Sequence, residues 1–246
     1  MEVTFLGTAG WMPSDGRETA SVAVQWGQTL VLLDAGTGLR RLVTGSSLVD
    51  GLTQVHVLLS HFHLDHTVGL GYLSAIQTDA PITIHGPGAW LYGRPTSEIL
   101  ADLIQPPYQP KRLRDLPLEV ADLGPEGLEI DGVPVQARRQ DRHSAPSVGL
   151  RLGDELAYVT DTAYDEGSAS LAQGARLLLH EAFAEDDGDP THSSPTEAAH
   201  VAEAAGVGNL RLLHLAPTAR PRRLGEQAQT VLPTAEVPAD LETISL

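Results

Sequence analysis

Short apolar runs broken by Gly, Pro and Asp turns open the chain, and residues 3–6, 21–25 and 29–33 each carry the pattern of a short strand. Together they predict an antiparallel β start. A helix-like stretch around 39–43 leads into 54–59, an apolar run suited to a buried strand, which stops at Ser60. Further strands are expected at 82–85, 128–137, 147–152, 156–160, 176–180 and 209–213, and helices starting near Asp65, Ser97 and Ser194. The last helix is well marked: Ser194 caps it, Pro195 takes the first position, and Gly206 closes an Ala-rich run. The segment 105–110 (QPPYQP) reads as an extended surface loop. Strand and helix patterns run the whole length with no linker-like composition, repeat or low-complexity tract, which predicts one α+β (α/β) domain over residues 1–246.

Composition narrows the chemistry. A hydrophobic content of 41% with 20% charged residues describes a chain that can bury a core. With no Cys, disulfides, thiolate metal sites and thiol nucleophiles are excluded, so any metal must be held by His, Asp and Glu. A formal charge of −16 repels polyanions and counts against a protein that grips long nucleic acid by its phosphates. The start, MEVTFLG, lacks a basic leader and no run approaches the length needed to span a bilayer, so a cytoplasmic protein without membrane contact is expected.

Candidate chemistry enters at Ser60-His61-Phe62-His63-Leu64-Asp65-His66, directly after the buried strand. Three imidazoles and a carboxylate in six residues would be costly as packing, but make sense as ligands. A loop leaving a strand can turn His61 and His63 toward one point, while Asp65 and His66 begin the next helix and face a neighbouring one. Two metal positions follow from one segment.

The pattern His61-x-His63-x-Asp65-His66 resembles the signature of the metallo-β-lactamase fold superfamily of binuclear metallohydrolases. The resemblance implies a four-layer αββα sandwich with its metals at one edge, and a further His, a bridging carboxylate and a last His downstream. His143, Asp161 and His214 match these in order, each at the end of an expected strand. The implied metal set is therefore His61, His63, Asp65, His66, His143, Asp161 and His214, with no organic cofactor. Zn²⁺ is the expected ion of the pair; Mn²⁺ and Fe²⁺ also accept such donors.

Within the superfamily the chain is most similar to the ribonuclease Z and phosphodiesterase branch. Thr4-Phe5-Leu6-Gly7-Thr8, Leu32-Leu33-Asp34-Ala35-Gly36, His180-Glu181-Ala182, His192-Ser193-Ser194 and His214-x-Ala-Pro resemble motifs of that branch. The resemblance implies His192 as general acid, positioned by Glu181, and Asp65 as a catalytic residue as well as a ligand. A cap on the Ser194 helix is the alternative for His192. Asp34 is either a support for the metal ligands or a turn former before Gly36. His56, His85 and His200 read as structural, and His180 as a companion of Glu181.

One departure bears on substrate. Transfer-RNA-processing members carry a long arm between the third ligand and the bridging Asp, whereas His143 and Asp161 are only 18 positions apart here. With the −16 charge this favours a small or short nucleotide-type phosphodiester, cleaved by a hydroxide shared between the metals. The alternatives are an acyl hydrolase of lactones, thioesters or β-lactams, and a ribonuclease Z-type tRNA 3′ endonuclease. Arg138, Arg139 and Arg142 before His143, and Arg220, Arg222 and Arg223 after His214, could steer a phosphate or simply be solvated. By analogy with the family a homodimer is expected.

Overall fold

In the computed structural model, which describes residues 1–43 and 46–246, the apolar runs pair into two sheets. The first has the order β13-β1-β2-β3-β4-β5-β6, with β1 Glu2–Gly7, β2 Ser21–Trp26, β3 Thr29–Leu33, β4 Gln54–Leu58, β5 Ile82–Gly86, β6 Glu119–Asp122 and β13 Thr243–Ser245. The second runs β12-β11-β10-β9-β8-β7, with β7 Leu128–Ile130, β8 Val133–Gln140, β9 Ser147–Leu152, β10 Leu156–Val159, β11 Leu177–Glu181 and β12 Leu210–Leu213. The predicted antiparallel start is present as β1-β2-β3, after which β3, β4, β5 and β6 pair in parallel.

Alternation along the strands sorts the core into three slabs. Between the sheets, Val3, Phe5, Val31, Leu33 and Leu58 of the first meet Val148, Leu150, Tyr158, Leu177 and Leu179 of the second. On the outer face of the first sheet, Leu30, Leu32, Val55 and Val57 pack under α1 (Arg40–Val43) and α3 (Thr96–Leu103). On the outer face of the second, Ala157, Val159, Leu178 and Leu212 lie under α4 (Glu166–Ala172), α5 (Pro195–Ala205) and α6 (Pro221–Gln229). Helix, sheet, sheet, helix is the four-layer αββα sandwich, each sheet being buried on both faces.

Two local expectations change. The single strand expected at 128–137 is a hairpin: Asp131 and Gly132, at φ 47° and 77°, form the two-residue turn that Asp-Gly favours because both positions need a left-handed backbone. The helix starting near Asp65 keeps α geometry only in α2 (Leu64–Thr67) and continues as a 3-10 stretch, Val68–Ala75. Close packing sets this geometry. The Gly69 N–H donates to Ala35 O at 2.8 Å, and a Cβ on Gly69 would fall 2.1 Å from Gly36 O.

The topology brings the functional candidates to one rim. β1, β3 and β4 end on the same side of the first sheet, and the parallel strands β10, β11 and β12 end on that side of the second. Residues just past their ends are His61, Asp161 and His214, with His143 in the short turn between β8 and β9. The interval from His143 to Asp161 is filled by the β9–β10 hairpin alone. Among the described residues no helix is long and apolar enough to cross a membrane.

Candidate active site

All seven residues with ligand-type side chains converge. Asp161 lies at their centre, 2% exposed, with its two carboxylate oxygens divided between two groups. Oδ1 is 3.9 Å from His61 Nε2 and 3.5 Å from His143 Nε2, and His143 Nε2 is 3.3 Å from His63 Nδ1. Oδ2 is 3.1 Å from His66 Nε2 and 3.4 Å from His214 Nε2, both of which lie 3.3 Å from Asp65 Oδ2. Two donor clusters result, His61-His63-His143-Asp161 and Asp65-His66-His214, the second also met by Asp161 Oδ2, and His192 makes a further ligand-type group with Asp161 and His214.

The donor set fits divalent cations. Ligand atoms around a tetrahedral ion with bonds of about 2.0–2.1 Å sit roughly 3.3 Å apart, close to the spacings within each cluster. His61 Nε2 is buried, faces Asp161 and has no hydrogen-bond partner among the described residues. Such an orphan is expensive unless something else takes its lone pair. The electrostatics agree with this. Burial, reinforced by the charge of His66, holds His61 well below the usual imidazole range, so it presents a lone pair rather than a proton. Burial works against ionisation of Asp65, yet hydrogen bonds from His214 and His66 hold its carboxyl well below the usual range.

Backbone and neighbours fix these side chains. Asp34 is fully buried, and its carboxylate accepts from Ser60 N at 2.7 Å, Ser60 Oγ at 2.8 Å, His66 Nδ1 at 2.8 Å and Tyr158 Oη at 2.7 Å. Four donors fill the acceptor capacity of one carboxylate. With Nδ1 committed to Asp34, His66 turns Nε2 toward the cluster, and Ser60 Oγ sits 3.0 Å from His61 Nδ1 to do the same for His61. Asp34 is also at φ 58°, the left-handed backbone of a turn former. Ser60 and Tyr158 carry no motif and are found only by their contacts.

His192 and Glu181 form a second unit. Glu181 is fully buried at the end of β11, accepts the Thr162 N–H through Oε1 at 2.5 Å, and places Oε2 2.8 Å from His192 Nδ1. Burial and the negative charge of Asp161 push the Glu181 carboxyl well up. His192 stacks on Phe183 with ring centres 4.4 Å apart, and it has a side-chain atom within 4.8 Å of ligand-type atoms of Asp161 and His214. The cap on α5 is not His192. Ser194 Oγ accepts the Glu197 N–H while Glu197 Oε2 accepts the Ser194 N–H, a complete capping box. That finding removes the helix-cap alternative.

The remaining candidates lie apart. His56 Nδ1 is 3.0 Å from His85 Nε2, and burial, with the charge of His56, lowers His85 to about 4. His180 is buried with Nδ1 2.9 Å from Glu181 O, and His200 is exposed on α5. The arginines before His143 are engaged elsewhere: Arg138 with Asp165, Arg139 with Asp141 and Arg142 with Tyr164 O. Arg222 pairs with Glu226 on the exposed face of α6, while Arg220 and Arg223 border a separate cavity with Glu185.

Known proteins share this arrangement of chain. Residues 29–215 match a family model described as the beta-lactamase superfamily domain. A ribonuclease Z from Mycobacterium sp. (strain KMS) is 32% identical over 257 residues, covering 90% of this chain and 86% of that protein. Among solved structures, the metallo-beta-lactamase fold protein YhfI from Bacillus subtilis aligns over 99% of this chain and 98% of its own, with a TM-score of 0.81 at 22% identity. A diphosphatase from the PhnP family aligns over 100% and 97%, with a TM-score of 0.77 at 19% identity. Sequence match and shared sandwich lead to the same assignment: this chain belongs to the metallo-β-lactamase superfamily, in its ribonuclease Z-like branch, and is a metal-dependent hydrolase.

Proposed function

We propose that the protein is a binuclear phosphodiesterase acting on a small or short nucleotide-type diester, working as one domain. The single observation that carries the reading is the Glu181–His192 pair set against Asp161, because a phosphodiester with an alkoxide leaving group needs a proton donor beside the metal site and this pair supplies one. His61, His63 and His143 would hold one ion and Asp65, His66 and His214 the other, with Asp161 between them. Bound Zn²⁺, or Mn²⁺ or Fe²⁺, supplies Lewis acidity toward phosphoryl oxygens and lowers the pKa of water toward neutrality.

The chain's own residues account for the rest. Asp65, 11% exposed and facing the second cluster, accepts a hydrogen bond from an incoming water and orients it. Glu181 fixes the ring of His192 through Nδ1, which leaves Nε2 to hold a proton for the departing oxygen. Burial of Asp161, His61 and His66 keeps bulk water from competing for those donors.

Two further features support a short substrate. The hairpin between His143 and Asp161 offers no extended arm, and the −16 charge disfavours a long polyanion. A metallo-β-lactamase-type acyl hydrolase is the competing reading and a ribonuclease Z-type tRNA 3′ endonuclease a third. Turnover of bis(p-nitrophenyl) phosphate, of p-nitrophenyl acetate and a lactone, and of a tRNA precursor separates them. The phosphodiester is expected to be favoured by at least about 10²-fold in kcat/KM; an acyl substrate or the precursor leading the panel would replace the proposal.

Asp34→Ala tests the support beneath the site. It removes the acceptor that orients His66 and is expected to weaken divalent-metal affinity by roughly 10- to 100-fold, read by chelator competition. Unchanged affinity would mean that Asp34 serves only the turn.

A further inference from the structure

Six non-glycine residues among those described have a left-handed backbone: Trp11, Asp34, Asp131, Asp161, His214 and Leu241. Such backbone is strained for a residue with a side chain and unusual for a bulky one, and strain of this kind gathers at functional sites. Asp131 belongs to a hairpin turn, Leu241 leads into the terminal strand with its N–H on Phe5 O, and Asp34, Asp161 and His214 belong to the site already described. Trp11, at φ 64°, stands at the same site without a ligating atom.

Its position is closely held. The Trp11 N–H donates to Asp65 Oδ2 at 2.7 Å. The Met12 N–H returns to Gly10 O at 2.8 Å, closing a three-residue turn in its rare positive-φ form. Gly10 is pressed so near the His214 ring that a Cβ there would come within 2.6 Å of it. Glycine would take the left-handed position at no steric cost. The chain instead places an indole there and leaves it 66% exposed, against the strong tendency of Trp to be buried.

Exposed apolar side chains are few: among the described residues the large ones are Trp11, Met12, Leu64, Val68, Tyr108 and Leu241. Leu64 lies between His63 and Asp65 in sequence, and with Val68 and Tyr108 it borders a cavity of about 460 Å³. Trp11 is tied by its backbone to Asp65, the residue that follows Leu64.

We propose that Trp11 is a specificity residue whose indole stacks on the nucleobase of a nucleotide-type substrate. The inference rests on the phosphodiesterase reading and names the substrate's aromatic part. The Trp11 backbone is anchored to Asp65 and its indole is exposed, which suits a ligand whose ring is tethered at short, fixed distance from its phosphate, and base-on-aromatic stacking tolerates any base. The −16 charge restricts such a ligand to a short nucleotide.

The test is calorimetric titration of thymidine 5′-monophosphate, and separately of inorganic phosphate, into the zinc-reconstituted protein and its Trp11→Gly and Trp11→Phe variants. Glycine preserves the left-handed turn, so loss of the ring is separated from collapse of the loop. Trp11→Gly is expected to weaken the nucleotide about 5- to 100-fold, Trp11→Phe to retain most of the affinity, and phosphate to bind all three alike. Equal losses for nucleotide and phosphate, no loss at all, or no nucleotide binding by the wild type would overturn the proposal. So would an unchanged nucleotide affinity accompanied by a dimer turning monomer, which would give the indole to a second copy of the chain. Failure of the phosphodiesterase reading is seen separately, as absent turnover of bis(p-nitrophenyl) phosphate by the wild type.

Discussion

Replacing Asp161 with Ala is expected to cost the protein its divalent metal and its hydrolysis together. Its carboxylate is divided between the two clusters: Oδ1 faces His61 and His143, Oδ2 faces His66 and His214, and the group is almost fully enclosed. Removal leaves four imidazoles crowded around a void without the negative charge that offsets two cations. The drop in kcat/KM should exceed the roughly 10²–10³-fold that one transition-state contact is worth, because both clusters lose a donor at once. Asp161→Asn keeps the volume and the fold but not the charge, and should show nearly the same loss of metal by elemental analysis. A folded Asn variant that keeps two metals and most of its rate would remove Asp161 from the bridging role.

The second large effect belongs to His192. His192→Ala is expected to lower kcat by about 10²–10⁴-fold on a diester with an alkoxide leaving group, with metal content unchanged. The loss should be much smaller with p-nitrophenolate, which departs without a proton. That contrast separates proton donation from a packing role, since His192 also stacks on Phe183 and its removal disturbs both substrates alike if packing is all it does. Glu181→Gln, which keeps an oxygen acceptor for His192 Nδ1 in place of the carboxyl group, should show a milder version of the same pattern. Equal loss on both leaving groups would contradict the assignment of His192 as acid.

How much of this was legible in the chain differs by element and by residue. The strands that line the inner core were readable because their apolar residues alternate or run continuously: 29–33 and 147–152 coincide with β3 and β9 to the residue. The edge strand β6, with Glu119 and Asp122 at its ends, and the terminal β13 have no such pattern, and each exists only because a neighbour offers a free edge. The helix α4 follows an Asp165 cap but is spelled with Gly and Ser, and α6 buries only Leu224, Gly225 and Ala228 of its nine residues. The first has no apolar stripe, and the second has a buried face of one Leu, one Gly and one Ala, too little apolar material to stand out in the sequence.

At the site, His61, His63, Asp65 and His66 were legible because so many polar groups in six residues are costly as packing, whereas His143, Asp161 and His214 were picked out by the family resemblance. Tyr158 was not. It sits in the apolar run 156–159 as one more core residue, and its hydroxyl acquires meaning only through Asp34, 124 positions away in sequence. Ser60 was read as a stop signal, whereas it donates twice to Asp34 and sits beside His61 Nδ1. Trp11 was overlooked for a related reason: a left-handed Trp is not announced by its neighbours, and the contact with Asp65 is made by its backbone.

Metal quantification on the wild-type chain, purified without chelator and reconstituted with Zn²⁺, tests the central claim most directly. Two equivalents per chain are expected, falling to no more than one in a His61→Ala, His63→Ala double variant. A wild type that saturates at one equivalent, or a double variant that still holds two, would contradict a binuclear centre built from these residues.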